Sequence, residues 1–149
     1  MKNLLLIILS IIGMNVCANA QTPKSILVNA KILSSDIVQL QIKTFCTDKQ
    51  LVEHEIQCAA IRVVLFDGID IPPYKKALLA EGEQTMIQSY PSYFNNLFTT
   101  RYSDFIKTYS ALSKFRKAGN KSTLYEIEVK ILQLRRDLEK NNIKLQIGY

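Results

Sequence analysis

Between Tyr125 and Ile131, apolar and charged residues alternate without a fault. Tyr125, Ile127, Val129 and Ile131 take one side, and Glu126, Glu128 and Lys130 the other. Only an extended chain with one dry and one wet face satisfies a period of two. A second stretch repeats the pattern, with Val38, Leu40, Ile42 and Thr44 opposite Gln39, Gln41 and Lys43. Parallel strands are covered on both faces and read as continuous apolar runs, so a sheet wet on one face is antiparallel. These two strands restrict the chain to folds built on an antiparallel sheet with one covered side.

Each strand has a neighbour in sequence. Ile26, Val28, Ala30 and Ile32 alternate just before Ser34-Ser35-Asp36, whose turn chemistry predicts a hairpin with the strand that follows. Residues 105–131 predict a second hairpin, running from Phe105 to Phe115 and turning at Ala118-Gly119-Asn120.

Helical spacing fills the space between the hairpins. Thr47 and Gln50 form a capping box. Val52, Ile56, Ala59, Val63 and Phe66 then recur at four and three residues, an apolar stripe that Gly68 and Ile71-Pro72-Pro73 bring to a stop. Pro73 to Leu79 predicts a short helical turn. Ser92 predicts the N-cap of a second helix carrying Tyr93, Phe94, Leu97, Phe98 and Tyr102. Leu134 and Leu138 stand one turn apart on a third helix, and Ile143, Leu145 and Ile147 alternate as a last strand. The order is β-β-α-α-β-β-α-β, an α+β fold with an antiparallel sheet of four to five strands and helices on one face.

The N-terminus carries a different kind of pattern. Lys2 precedes a nearly unbroken apolar run from Leu4 to Ile12, and Ala18-Asn19-Ala20 follows with small residues at the two positions a signal peptidase reads. This is a secretory leader, residues 1–20, with cleavage expected before Gln21. The run is too short to span a bilayer, which takes about 20 apolar residues. Cys17 is the competing lipidation site, but Asn15-Val16 lacks the small residue such a cysteine wants beside it. Residues 21–149 are one domain's worth of chain. Periplasmic or extracellular residence is the expectation. The whole chain's net charge of +6 is mild and interspersed with acids, which reads as solubility with weak attraction to anionic surfaces. Export by the general route argues against nucleic acid as partner.

The helix ending Val64-Leu65-Phe66-Asp67-Gly68, the charged hairpin, and Leu134-Arg135-Arg136-Asp137-Leu138-Glu139 together resemble a family of short, signal-peptide-bearing envelope proteins of anaerobic Gram-negative bacteria. More distantly, the architecture is similar to the N-terminal domain of the flagellar assembly protein FlgT and its lipoprotein relatives. The resemblance implies an envelope domain used in assembly or interaction, and brings no catalytic residues with it.

Four groups of residues invite a chemical reading. Cys46 and Cys58 would meet oxidising conditions outside the cell. Cys58, however, lies about 15 Å along the helix at 1.5 Å per residue, and a disulfide needs Cα atoms within about 7 Å. The expectation is two separate cysteines, with an intrachain bond as the alternative. His54 and Cys58 stand one helical turn apart, the spacing of a base and nucleophile or of two metal ligands. The sequence supplies neither a third group nor further ligands near them. Asp67 and Asp70 read as turn residues beside Gly68. No metal or cofactor is expected.

Two candidate binding surfaces remain. Lys114, Arg116, Lys117 and Lys121 cluster around the second hairpin's turn, either a solvated tip or a basic knob for an anionic glycan or lipid headgroup. Tyr90, Tyr93, Phe94, Phe98 and Tyr102 are either core rings at helical spacing or an aromatic platform. The leading expectation is a non-enzymatic exported domain that binds another envelope protein. A pocket-type binder of lipid, glycan or peptide is the alternative, and a hydrolase ranks third because its parts cannot all be named.

Overall fold

A computed structural model describes residues 25–117 and 120–146, with the backbone alone for 115–117 and 120. The expected leader, the hairpin's Ala118-Gly119 and Ile147 lie outside the described residues.

Four strands form one antiparallel sheet: β1 (Ser25–Ile32), β2 (Ile37–Thr44), β3 (Ile106–Lys117) and β4 (Asn120–Lys130), in the order β1-β2-β4-β3. The two hairpins meet through β2 and β4, where Val38 faces Val129 and Leu40 faces Ile127. These four side chains are fully buried. The two cleanest alternating segments thus become the two central strands, because only central strands have a dry face along their whole length. The edge strands β1 and β3 each carry a bulge, at Leu27/Asn29 and twice in β3. Bulges at edges bend the strand and increase its local twist.

The covering layer contains α1 (Val52–Arg62), α2 (Glu83–Ser89), α3 (Pro91–Asn96) and α4 (Ile131–Lys140). α1 lies across β1, β2 and β4. The Thr47–Gln50 capping box does not form. Asp48 caps instead: its Oδ1 accepts the Gln50 N–H at 2.8 Å, and its carbonyl accepts the Leu51 and Val52 N–H groups. An aspartate competes well for this role, so the turn closes one residue later and the helix starts at Val52.

The expected stripe packs on the core, with Ile56 and Val63 buried, and the buried face is wider than the stripe. Val52, Ala59 and Phe66 are half-buried, while Ile56, Cys58, Ala60 and Ile61 are buried. Beyond Arg62 the helix widens into a π-helical turn, Val63–Asp67, closed by the bond from the Gly68 N–H to the Val63 carbonyl. Val63, Val64 and Leu65 are buried in succession there, since the returning loop covers the helix end. Leu78 and Leu79 donate their N–H groups to the Val64 and Leu65 carbonyls. Residues 72–79 are turns and irregular chain, without the expected helical turn.

α2 was not expected from the sequence. The second helix begins at Pro91 with Tyr90 as its cap residue, and Ser92 makes no capping bond. It widens into a second π-helical turn, Leu97–Arg101, and a 3-10 turn delivers the chain to β3. In its described part, residues 143–146, the last alternating segment is not a strand. Ile143 is buried and Leu145 half-buried, and the Gln146 N–H binds the Leu78 carbonyl outside the sheet. Alternation there records an extended tail with one side tucked in. Among the described residues no helix is long and apolar enough to cross a membrane.

Candidate functional site

The His54–Cys58 pair sits where α1 meets the second π-helical turn. His54 Nε2 is 2.7 Å from the Phe98 carbonyl, so that nitrogen carries the proton and donates it. The Cys58 Sγ lies 3.5 Å from both that nitrogen and that carbonyl. With Nε2 already a donor, the thiol proton goes to the carbonyl's second lone pair. Tyr102 packs edge-on against the imidazole at 4.7 Å. Burial pushes the Cys58 thiol up to about 11, with the Arg62 charge only partly opposing it. The pair therefore ties two helical segments together, and its thiol is protonated at neutral pH. Cys46 and Cys58 are both free thiols.

The aromatic group turns inward. Phe94 and Phe98 are buried, and Tyr90, Tyr93 and Tyr102 pack half-buried against the same core. Phe94 is edge-on to Tyr93 at 5.1 Å and stacks near Phe98 at 6.1 Å. The Arg62 guanidinium covers the Phe98 ring at 4.4 Å. The Tyr93 hydroxyl donates to Asp137 at 2.8 Å. Phe94 and Phe98 are thus core rings, while Tyr90, Tyr93 and Tyr102 lie at the margin of the core with part of their surface exposed.

Two of the concave surfaces among the described residues touch the β1 edge or the predicted basic hairpin. The first is a groove of about 200 Å³ between β1 and α1, floored by Leu27, Ile42, Ala59, Val63 and Phe66. Its rim is charged. Glu55 accepts the Ser25 hydroxyl at 3.4 Å, and Arg62 Nε pairs with Glu83 at 2.7 Å. Asp67 completes the rim, its carboxyl raised by burial and then by the Glu83 charge. Three carboxylates face one guanidinium, so the groove is net acidic. Beside it runs the outer edge of β1, which nothing among the described residues pairs. On that strand Ile26 and Val28 are 41% and 54% exposed.

The second surface is a cleft of about 270 Å³ below the β3–β4 hairpin. Lys114 and Lys121 line it, together with Thr47, Lys49, Ser122, Thr123 and Tyr125. The ladder explains the convergence. Lys114 faces Thr123, Thr123 faces Thr44, and the chain then turns through Thr47 and Lys49 into α1. Arg116 faces Lys121 and Lys117 faces Asn120 along the same ladder, their side chains being outside the described residues. The basic knob thus keeps Lys114 and Lys121 together and gains Lys49. Sequence reading missed Lys49, Ser122 and Thr123; the strand alternation held the signal, but only the β2–β4 register places Lys49 near the hairpin.

Among the described residues no group of three or more His, Cys, Asp or Glu is placed to hold a metal ion. No protein-family model, curated protein or solved structure matches the chain. The resemblance to envelope families accordingly rests on its sequence words.

Proposed function

We propose that this chain is an exported, non-enzymatic envelope domain that binds another protein as an extended segment along the free edge of β1. The observation that carries the reading is the unpaired edge itself, lying beside an apolar groove with an acidic rim. Edge addition draws affinity from backbone hydrogen bonds and specificity from pockets for alternate side chains. Here the groove would take an apolar side chain, and Glu55, Asp67 and Glu83 favour a lysine or arginine nearby. The leader-like N-terminus and the envelope-family resemblance support a periplasmic or extracellular setting. The state of Cys58 supports a non-enzymatic role, because its thiol is protonated and its histidine is engaged by a carbonyl.

The test is a selection of displayed random peptides on the purified protein. Enriched sequences should alternate apolar and basic residues and should broaden the amide signals of β1. Val28→Lys should weaken their binding at least about tenfold by placing a like charge against the basic segment, while changing stability by no more than about 0.5 kcal/mol. Enrichment of peptides that perturb β3 instead, or none at all, would remove the β1 edge as the binding surface.

A further inference from the structure

The lysine cleft is independent of the β1 edge, which lies at the opposite side of the sheet. Its chemistry is lopsided. Lys49, Lys114 and Lys121 line it, and none of the described lining residues is acidic. Among the described residues none of the three lysines forms an ion pair. Three exposed lysines around one small cavity give it a positive charge, which favours an anion.

Two further features shape the cleft. Thr123 lies on the same face of the hairpin as Lys114, which it opposes in the ladder, and as Lys121, two residues away, so its hydroxyl is placed beside their ammonium groups. Val52, the first residue of α1, also lines the cleft; the Asp48 side chain already caps that helix end, so the charge of the cleft comes from its lysines. Of the acids in the first turn, Glu53 accepts bonds from Gln57 and from the Tyr109 hydroxyl.

We propose that this cleft binds a phosphate group, with Lys49, Lys114 and Lys121 supplying charge and Thr123 supplying a hydroxyl donor. Three separate ammonium donors suit a tetrahedral oxyanion carrying more than one charge better than a planar carboxylate, which pairs best with the fork of an arginine. The cavity is smaller than the roughly 300–1,000 Å³ that encloses a drug-sized molecule. It holds the phosphate and leaves the remainder of the ligand outside. The phosphate belongs either to a lipid headgroup or to a soluble phosphate compound, and both present the same chemistry to the site.

Inorganic phosphate is the first probe, added to protein purified from expression of the full chain. Amide shifts of Lys49, Ser122 and Thr123 should saturate with phosphate and stay still with chloride at equal ionic strength. Lys49→Glu should weaken the binding about tenfold or more, since one reversal removes two of three site charges. Lys140→Glu changes the net charge equally on an exposed helix end and should leave it unchanged. Lys121→Gln repeats the test with a milder substitution, and an unchanged amide dispersion shows that each variant is folded. Flotation with phosphatidylglycerol or phosphatidylcholine vesicles then separates the sources. Retention on the anionic vesicles that Lys49→Glu abolishes assigns a lipid phosphate; phosphate binding without retention assigns a soluble one. Absence of saturable phosphate shifts, or equal loss in Lys140→Glu, overturns the proposal.

Discussion

At the scale of single residues, Cys58 illustrates how position outweighs spacing. A histidine one helical turn from a cysteine is a pattern that nucleophilic catalysis uses, but only a thiolate attacks. Here His54 spends its proton on the Phe98 carbonyl at 2.7 Å, and burial holds the thiol near 11. At pH 8 that leaves about one thiolate per thousand molecules. A thiol reagent should therefore modify half-buried Cys46 in the folded protein and reach Cys58 only after urea unfolds it; prompt labelling of Cys58 in the native state would contradict the geometry. The same group makes the fold sensitive to alkali. The unfolded thiol ionises near its ordinary value of 9.0 and the folded one near 11. The folded state thus holds the extra proton across that window, and stability falls as pH rises through it. Cys58→Ala should flatten that part of the pH profile.

Among the elements, the end of α1 depends on one glycine. Gly68 has φ of +77° and ψ of 173°, a region that side-chain-bearing residues avoid. A Cβ there would stand 2.7 Å from the Lys75 carbonyl oxygen, where the loop crosses the helix end. Gly68→Ala should cost at least about 2 kcal/mol in urea melts, strain and overlap together. Gly82→Ala is the control, because its φ is −66° and its Cβ position is empty; it should stay within about 0.5 kcal/mol. The stop at Gly68 was legible because chain reversal demands a particular residue. The two central strands were legible for a related reason, since burial along one whole face imposes a strict period. α2 had no such signal: it is short, polar, and buries only Met86. On α1 the buried face is wider than the predicted stripe, because Cys58, Ala60 and Ile61 are covered as well, and a single stripe at helical spacing does not show that width. The hairpin lysines were visible as a run of charge, whereas their cleft depends on a register between β2 and β4 that spans some eighty residues of chain.

For the whole molecule, the question is what fastens the helical layer to itself, since α3 and α4 belong to different connections. α4 leaves β4 without a break, while α3 and its π-helical turn lie between the two hairpins. Asp137 joins them. Its Oδ1 accepts Arg101 Nη2 at 2.7 Å, and its Oδ2 accepts the Tyr93 hydroxyl at 2.8 Å and Arg101 Nη1 at 3.3 Å. Arg101 also reaches Asp104 at 3.5 Å and lies over the Phe105 ring. Burial first, and then the bond to Asp137, drives the Tyr93 phenol well above its ordinary value, so it remains a donor across the working pH range. The site is sheltered, with the Asp137 side chain 15% exposed, and hydrogen bonds to a charged group in such a place contribute about 1.5–3 kcal/mol. Asp137→Asn keeps the shape but lowers the charge, and should cost about that much in urea unfolding. Tyr93→Phe alone should cost about 1 kcal/mol. In the double variant the two losses should fall short of additive by at least about 0.5 kcal/mol, because the phenol's bond is worth less once its acceptor is neutral. Strict additivity would mean that Tyr93 contributes through its ring alone, leaving the Arg101–Asp137 pair to tie α4 to the π-helical turn.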